Sequence, residues 1–194
     1  MNRFRLILLC LLLPAFPLGA QDALGAILSF GAKVTAVECD FMQTRESALL
    51  ADAAVSSGHM SYRRPGFLEW QYLKPQQFAL VADDGQVSIR RDGHSETLSG
   101  NQRTMMKELT QLIVGSIGGS ALTDEKHFRT QVEEADGNVA VTLFPVKRDV
   151  QRIWSRMVLY YDKASAKATR FELCEASGDR TTITFSNVHY EFSE

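Results

Sequence analysis

The residues that could do chemistry are few and dispersed in this sequence. None of the histidines forms the paired spacing that is typical of zinc ligands. They are His59, His94, His127 and His189, and they lie far apart along the chain. The sequence therefore predicts no metal site and no cofactor.

A nucleophilic serine is also poorly supported. Residues 115–118 (Gly-Ser-Ile-Gly) lack the G-x-S-x-G spacing of a nucleophile elbow, and they follow a predicted helix where an elbow follows a strand. They also lack the lysine and the strand-to-helix context of a phosphate loop. Glu133, Glu134 and Asp136 lie at a predicted hairpin end, where carboxylates are usually solvated. We therefore predict that the protein is not an enzyme.

The first twenty residues have the pattern of a secretory signal peptide. Arg3 and Arg5 precede an apolar run at residues 6–13, and small residues follow up to Ala20. The run is far shorter than the ~20 residues that a membrane-spanning helix needs. Cys10 lies inside the run without small residues before it, which disfavours a lipid-modified cysteine. The pattern predicts a cleavable signal peptide over residues 1–20 and a single soluble domain over residues 21–194.

The predicted mature chain is mildly acidic and contains two cysteines. Removing residues 1–20 from the 194 leaves 174 residues, and the formal net charge changes from −2 to −4 because Arg3 and Arg5 are lost. Such a chain is large enough for a real core and has no basic footprint for nucleic acid. In an oxidising compartment, Cys39 and Cys174 suggest one disulfide across a long loop. The alternative is two buried thiols that act as small hydrophobic side chains.

The hydrophobic pattern predicts two helices and about ten short strands. Apolar stripes at helical spacing run through residues 22–37 and 101–117, and Gly118 with Gly119 ends the second helix. The alternating segments are 38–44, 55–63, 67–73, 77–82, 86–91, 126–134, 138–144, 153–161, 168–175 and 180–190. This order is typical of an antiparallel sandwich or barrel. A single sheet of that length tends to curl, so we expect the helices to cover its open face.

The most specific motifs lie between residues 41 and 85, in a fixed order along the predicted strands. They are F-x-Q at 41–43, G-x-M at 58–60, R-P at 64–65, W at 70, P at 75 and D-G at 84–85. Residues 143–147 and 181–188 add two further similar segments. Together these motifs resemble the LolA family of periplasmic carriers of outer-membrane lipoproteins, over nearly all of residues 22–190.

The resemblance implies an unclosed antiparallel β barrel of about ten to eleven strands, covered by an α-helical lid above an apolar cavity. Strand alternation agrees, because Leu68, Trp70 and Tyr72 share one face of their strand. The candidate lipid-binding residues are Phe41, Met60, Tyr62, Leu68, Trp70, Tyr72, Phe78, Leu80, Met105, Met106, Leu109, Leu112 and Ile113. The alternative is that these side chains fill a dry core.

The resemblance also implies a role for Arg64, the arginine of the R-P motif. Its expected role is to hydrogen-bond the lid backbone and hold the lid closed, whereas the alternative is a solvated charge beside Arg63. The implied function is that of a monomeric periplasmic chaperone for the acyl chains of lipoproteins. Its implied partners are an inner-membrane ABC lipoprotein-release complex and an outer-membrane receptor.

Two departures from the family pattern leave alternatives open. Residues 48–54 lengthen the first connection, and the chain stops at Glu194, where longer members add a strand and a loop. The cargo and the handoff partners therefore stay undetermined by the sequence. The alternatives are a carrier of another lipid or polyene, and a periplasmic lipid-sensing domain that regulates by protein contact.

Overall fold

One antiparallel β-sheet of eleven strands dominates the computed structural model, which describes residues 18–47, 52–135 and 137–193. The strands are β1 (Val34–Glu46), β2 (Ala54–Arg63), β3 (Phe67–Lys74), β4 (Phe78–Asp83), β5 (Gln86–Arg91), β6 (His94–Thr97), β7 (Phe128–Ala135), β8 (Asn138–Pro145), β9 (Trp154–Asp162), β10 (Ala168–Glu175) and β11 (Arg180–Phe192). The helices are α1 (Leu18–Lys33), α2 (Gly100–Ile117) and α3 (Arg148–Gln151), with a 3-10 turn at Ser120–Thr123.

The strand order explains why the sheet does not close. It runs β6-β5-β4-β3-β2-β1-β11-β10-β9-β8-β7, so the first and last strands pair in the middle. Within the described residues no ladder joins the two edges, β6 and β7, and α2 lies between them in the chain. Ile27 of α1 and Leu112 of α2 are buried in the same core as the sheet residues. The predicted fold class, an unclosed antiparallel barrel with a helical cover, is confirmed.

The second helix forms where its apolar spacing predicts it. Met106, Leu109 and Ile113 recur on one stripe of α2, and all three pack against the buried core. The helix ends at Gly118, whose amide donates to the carbonyl of Val114, and Gly119 follows with a φ of 83°. That left-handed conformation is one that glycine adopts without steric cost.

The predicted end of the first helix is wrong. Residues 22–37 were expected to be helical, but α1 ends at Lys33 and residues from Val34 onward form β1. The helix-like spacing of Val34 and Val37 has a different origin, because the β1–β11 ladder is irregular on both sides of Ala36 and Val37. The irregularity between Val34 and Ala36 lets Val34 and Val37 both lie in the buried core, although they are three residues apart. Two valines three residues apart thus fit a bulged strand as well as a helix.

The predicted disulfide is also wrong. Cys39 and Cys174 are free thiols, and both are buried. Cys39 lies in β1 and Cys174 in β10, with β11 between them, which separates the two strands by roughly 10 Å. Cys174 pairs with Arg180 of β11, and Arg180 pairs with Glu46 of β1, so Cys174 lies opposite Glu46 across the sheet. Glu46 lies roughly 24 Å along β1 from Cys39. A disulfide requires Cα atoms within about 7 Å of each other.

Other sequence expectations fall partly outside the described residues. The predicted signal peptide lies outside the described residues except for Leu18–Ala20, which form the start of α1. The connection at residues 48–54 is described only from residue 52. The sequence pattern missed β6, because all four of its residues are exposed and none has an apolar side chain.

Gly58 is the glycine of the G-x-M motif, and it allows β2 to pack closely on its neighbours. A Cβ there would lie 1.8 Å from the carbonyl oxygen of Gln71 and 2.7 Å from the Phe41 ring. We predict that Gly58→Ala lowers the free energy of unfolding by about 1–3 kcal/mol, measured by urea denaturation. Gly25→Ala, in open space on α1, is the control and should stabilise by up to about 1 kcal/mol. Equal effects of the two changes would contradict the packing role.

Candidate functional site

Two adjacent cavities lie between the helices and the sheet. The smaller has a volume of about 70 Å³ and is lined by α1, α2 and strands from both halves of the sheet. The larger has a volume of about 310 Å³ and is lined by α2 and the sheet. Trp70, Ile113 and Phe171 line both cavities, so these three side chains form the narrowing between them. Together the two cavities occupy the space beneath the helical cover.

Eight of the thirteen predicted lipid-binding residues line this space. They share an inward position on β2, β3, β4 or α2, as the alternation and the helical stripe predict. They are Met60, Leu68, Trp70, Tyr72, Leu80, Met106, Leu109 and Ile113. This set supports the interpretation of a lined cavity over that of a dry core.

The remaining five predicted residues have other places. Phe41 and Tyr62 are buried in the core, and neither lines the two cavities. Phe78 stacks on Tyr72 at 4.5 Å between ring centroids. Leu112 lines a separate pocket between α2 and the β7–β9 side of the sheet. Met105 falls in α2, but its side chain lies outside what the structure describes.

Residues of α1 and of the C-terminal half of the sheet also line the smaller cavity, although none of them was among the predicted lipid-binding residues. Ile27 and Phe30 of α1 line the smaller cavity. So do side chains of β9, β10 and β11, which are Leu159, Tyr161, Phe171, Phe185 and Tyr190. The alternation of Phe171 with Leu173, and of Ile183 with Phe185, was a usable signal for these inward positions.

An aromatic cluster holds the wall of β3 in place. The Phe41 ring lies 4.4 Å from Trp70 and 5.3 Å from Tyr72, measured between ring centroids. The Tyr72 hydroxyl donates a hydrogen bond of 3.0 Å to Oε1 of Gln43. Burial raises the pKa of Tyr72, so its hydroxyl stays protonated and keeps that donor role. Phe41 therefore packs beside Trp70 and Tyr72 on the inner face of the sheet and supports the cavity wall from the side.

Arg64 binds the C-terminal end of α1. Its Nη1 donates to the carbonyl of Ala32 at 3.1 Å, and its Nη2 donates to the carbonyls of Ala32 at 3.1 Å and Gly31 at 3.3 Å. The last carbonyls of a helix have no partner within the helix and carry its negative dipole end, so a guanidinium is well suited to them. The contact that the family resemblance implies, between Arg64 and the lid backbone, is present in this chain.

The two covering helices approach each other closely at Gly31 of α1 and at Gly119, which follows the end of α2. A Cβ at Gly31 of α1 would lie 2.7 Å from the carbonyl oxygen of Ile117, at the end of α2. A Cβ at Gly119 would lie 2.9 Å from Cδ2 of Leu28. The absence of side chains at both glycines thus lets α1 lie directly on the C-terminal end of α2.

The smaller cavity has a lining that is uncharged apart from one cation. Its one lining residue with a formal charge, among those described, is Arg170, whose guanidinium lies 3.7 Å from the centroid of Tyr160 and whose Nε lies 3.3 Å from Glu172. Burial, with a smaller effect of the Asp40 charge, raises the pKa of Cys39 to about 12. Burial likewise raises the pKa of Tyr190 to about 12. Both side chains are therefore uncharged at neutral pH.

The four histidines lie at the surface or near it, and two of them pair with single carboxylates. Nδ1 of His59 lies 3.0 Å from Asp40, and Nδ1 of His127 lies 2.6 Å from Asp124. Within the part of the chain that the structure describes, no three His, Cys, Asp or Glu residues are grouped as metal ligands would be. In that same part, no helix is both long and apolar enough to cross a membrane.

An open β barrel with a helical cover over an apolar space defines a class of proteins that accommodate hydrophobic ligands. Within that class, the sequence matches one particular family. The family described as "Outer membrane lipoprotein carrier protein LolA" matches residues 32–193. The chain therefore belongs to the LolA family.

Individual relatives are distant. The outer-membrane lipoprotein carrier protein of Ralstonia nicotianae is 27% identical over 182 residues, which cover 91% of this chain and 81% of that protein. The protein of the same name from Pseudomonas fluorescens is 27% identical over 134 residues, which cover 69% of this chain and 61% of that protein.

Solved structures that are similar to this chain share still less sequence with it. The complex of Pseudomonas aeruginosa MucA and MucB matches with a TM-score of 0.51 and 13% identity, covering 91% of this chain and 58% of that one. A LolA superfamily protein of Nitrosomonas europaea matches with a TM-score of 0.48 and 12% identity, covering 90% and 94%.

The Gly31 contact predicts a way to loosen the cover. In a Cys10→Ala, Cys174→Ala background, alkylation reports on Cys39 alone, which is buried in the smaller cavity and protonated at pH 8. We predict that Gly31→Ala accelerates this alkylation about fivefold to a hundredfold, because overpacking by 1–3 kcal/mol disfavours the closed cover.

Gly25→Ala, on the same helix, is the matched control and should leave the alkylation rate unchanged, since its Cβ meets no atom. Urea denaturation of each variant separates opening of the cover from global unfolding. An unchanged rate in the Gly31 variant would show that the α1–α2 contact does not control access to the cavity.

Proposed function

We propose that this chain is a periplasmic carrier that binds the acyl chains of lipoproteins and transports them from the inner to the outer membrane. The observation that best supports the proposal is the pair of adjoining, mainly apolar cavities beneath α1 and α2, of which the larger also has Arg45 and Glu175 in its lining. Membership of the LolA family agrees with it. The signal-peptide pattern of residues 1–20 supports export to the periplasm.

The physical need for such a carrier follows from the cost of exposing acyl chains. Burial of each CH₂ group contributes ~0.8 kcal/mol, so a long chain in water costs more than about 10 kcal/mol. A lipid-modified protein therefore crosses an aqueous compartment only if its chains are covered. A cavity lined by Leu, Ile, Met and aromatic side chains supplies that cover, and methionine adapts to chains of different shape.

The closed cavities are too small for a multiply acylated cargo. A cavity of about 150 Å³ accepts one benzene molecule, so the larger cavity of about 310 Å³ holds a segment of about a dozen carbon atoms. A second or third acyl chain needs additional space. We infer that cargo binds an open state in which α1 has moved away from the sheet.

Arg64 is the residue best placed to set the balance between the two states. Its hydrogen bonds to Gly31 and Ala32 exist only while the end of α1 lies against β2. Because cargo favours the open state and these bonds favour the closed one, closure opposes cargo binding and promotes release.

The expected partners follow from the same function. Cargo is received from an inner-membrane ABC lipoprotein-release complex and passed to an outer-membrane receptor, and the chain itself acts as a monomer. The function requires binding and opening but no catalysis, ATP or metal in this chain. A LolA-like carrier of another lipid or polyene remains the second candidate, and the composition of bound lipid separates the two.

Binding of acylated cargo is the direct test. We predict that the protein purified from the periplasm retains lipoproteins that native mass spectrometry and lipid extraction identify. Emptied protein should then bind a synthetic acylated lipopeptide in one-to-one complexes. The same peptide without acyl chains is the control and should not bind. Retention of a different lipid would favour the second candidate, and failure to bind either would favour a lipid-independent interaction domain.

Arg64→Leu should shift the cover toward the open state. We predict that it binds the acylated lipopeptide about fivefold to twentyfold more tightly and releases it more slowly to acceptor vesicles, because charged hydrogen bonds of the closed state are lost. Arg63→Leu is the matched control, since Arg63 lies over the Phe67 ring, 5.8 Å from its centroid. If Arg64→Leu bound and released the lipopeptide like the parent protein, Arg64 would not hold the cover closed.

A further inference from the structure

Two buried hydroxyl groups in the smaller cavity have no hydrogen-bond partner. Ser116 of α2 and Tyr161 of β9 both line that cavity, and they are 7% and 4% exposed. The Ser116 Oγ and the Tyr161 hydroxyl oxygen are each buried without a partner among the described residues. Groups of this kind are rare in folded proteins, because a buried polar group without a hydrogen bond costs free energy.

The two hydroxyls lie on opposite walls of the cavity. Ser116 belongs to the helical cover, one residue before the end of α2, and Tyr161 belongs to the sheet. Serine at this position is not needed to end the helix, because Gly118 makes the terminal backbone hydrogen bonds. The cavity therefore offers a hydroxyl donor from the helical cover and another from the sheet.

The one cation in the lining, Arg170, already has a carboxylate partner, which limits the charge of a ligand group bound there. No acidic side chain lines the smaller cavity within the described chain, and the guanidinium of Arg170 is engaged by Tyr160 and Glu172. A free carboxylate would be desolvated there and would compete with Glu172 for the one cation of the lining, which is unfavourable. An uncharged acceptor is favoured, because serine and tyrosine hydroxyls both donate hydrogen bonds.

We propose that Ser116 and Tyr161 form a polar subsite for the carbonyl group of an acyl ester or amide. The inference rests on the proposed function, and it specifies the substrate: the cavity recognises the linkage of the acyl chain as well as its hydrocarbon. With its carbonyl at this subsite, a chain continues past Trp70, Ile113 and Phe171 into the larger cavity.

The subsite also lies beside the part of the cover that opens. Ile27 and Phe30 of α1 line the same cavity, and Arg64 holds the end of that helix. When α1 moves away, the linkage at the subsite is the portion of the cargo that becomes accessible first. The polar part of the lipid thus projects from the cavity on the side of α1, while the acyl chain lies inside the cavity.

The test compares two lipopeptides that differ only in the linkage of their chains. One has two ester-linked acyl chains on a glyceryl group, and the other has ether-linked chains of the same length, without carbonyls. We expect the wild-type protein to bind the ester form more tightly, by about threefold to tenfold for each hydrogen bond. Tyr161→Phe and Ser116→Ala should each reduce this preference while the affinity for the ether form stays the same.

Tyr160→Phe is the matched control. It is the same substitution at the neighbouring residue, which packs under Arg170 and does not line the cavity, and it should keep the full ester preference. In the ligand-free protein Tyr161→Phe should not lower the melting temperature, because the hydroxyl has no protein partner to lose. A clear loss of thermal stability, or an ester preference that persists in both cavity variants, would overturn the subsite.

The outcomes separate the subsite from the carrier function. If wild-type protein binds the ester and ether lipopeptides equally, the subsite is wrong and the carrier function stands. If it binds neither, the carrier function itself is wrong, and the subsite fails with it. An ester preference that the two cavity variants reduce and Tyr160→Phe retains supports both.

Discussion

The structure depends on a sheet whose inner face is too apolar to contact water and whose edges do not meet. The strands pair from β6 to β7 through the central β1–β11 ladder, and no closing ladder is formed between the described edge strands. The apolar face must therefore be covered by other elements, and α1 and α2 do so. A covering helix is held by side-chain packing and a few polar contacts, whereas a neighbouring strand would be held by a full ladder. An open barrel thus combines a rigid wall with a cover that can move.

Much of this architecture follows from the sequence because the strands alternate regularly and the turns contain glycine, proline and aspartate. The inward positions of Leu68, Trp70 and Leu80 follow from the two-residue repeat alone. The end of α1 does not follow, because a bulged strand imitates the spacing of a helix at Val34 and Val37. The cysteine pairing fails for a related reason, since sequence spacing does not say that β11 lies between β1 and β10.

The candidate site was predicted from one half of the chain, although both halves build it. Motifs of the LolA family cluster between residues 41 and 85, and attention to them left out β9, β10, β11 and α1. Trp70 and Phe171 come from opposite halves of the sheet, yet they line the same narrowing. Only the central pairing of β1 with β11 brings them together. Such a contact depends on topology, and local periodicity contains no information about it.

The contacts that hold the helical cover closed are weak enough for a protein that must both bind its cargo and release it. A cavity that buried acyl chains with their full transfer free energy and had no competing closed state would bind cargo nearly irreversibly. Here the closed state has its own stabilising contacts, from Arg64 to the end of α1 and from Gly31 to the end of α2. These contacts lie outside the cavity, so they stabilise the empty protein without reducing the apolar surface offered to cargo. The closed cover thereby lowers the affinity for cargo, while the sheet that forms the cavity wall keeps its shape.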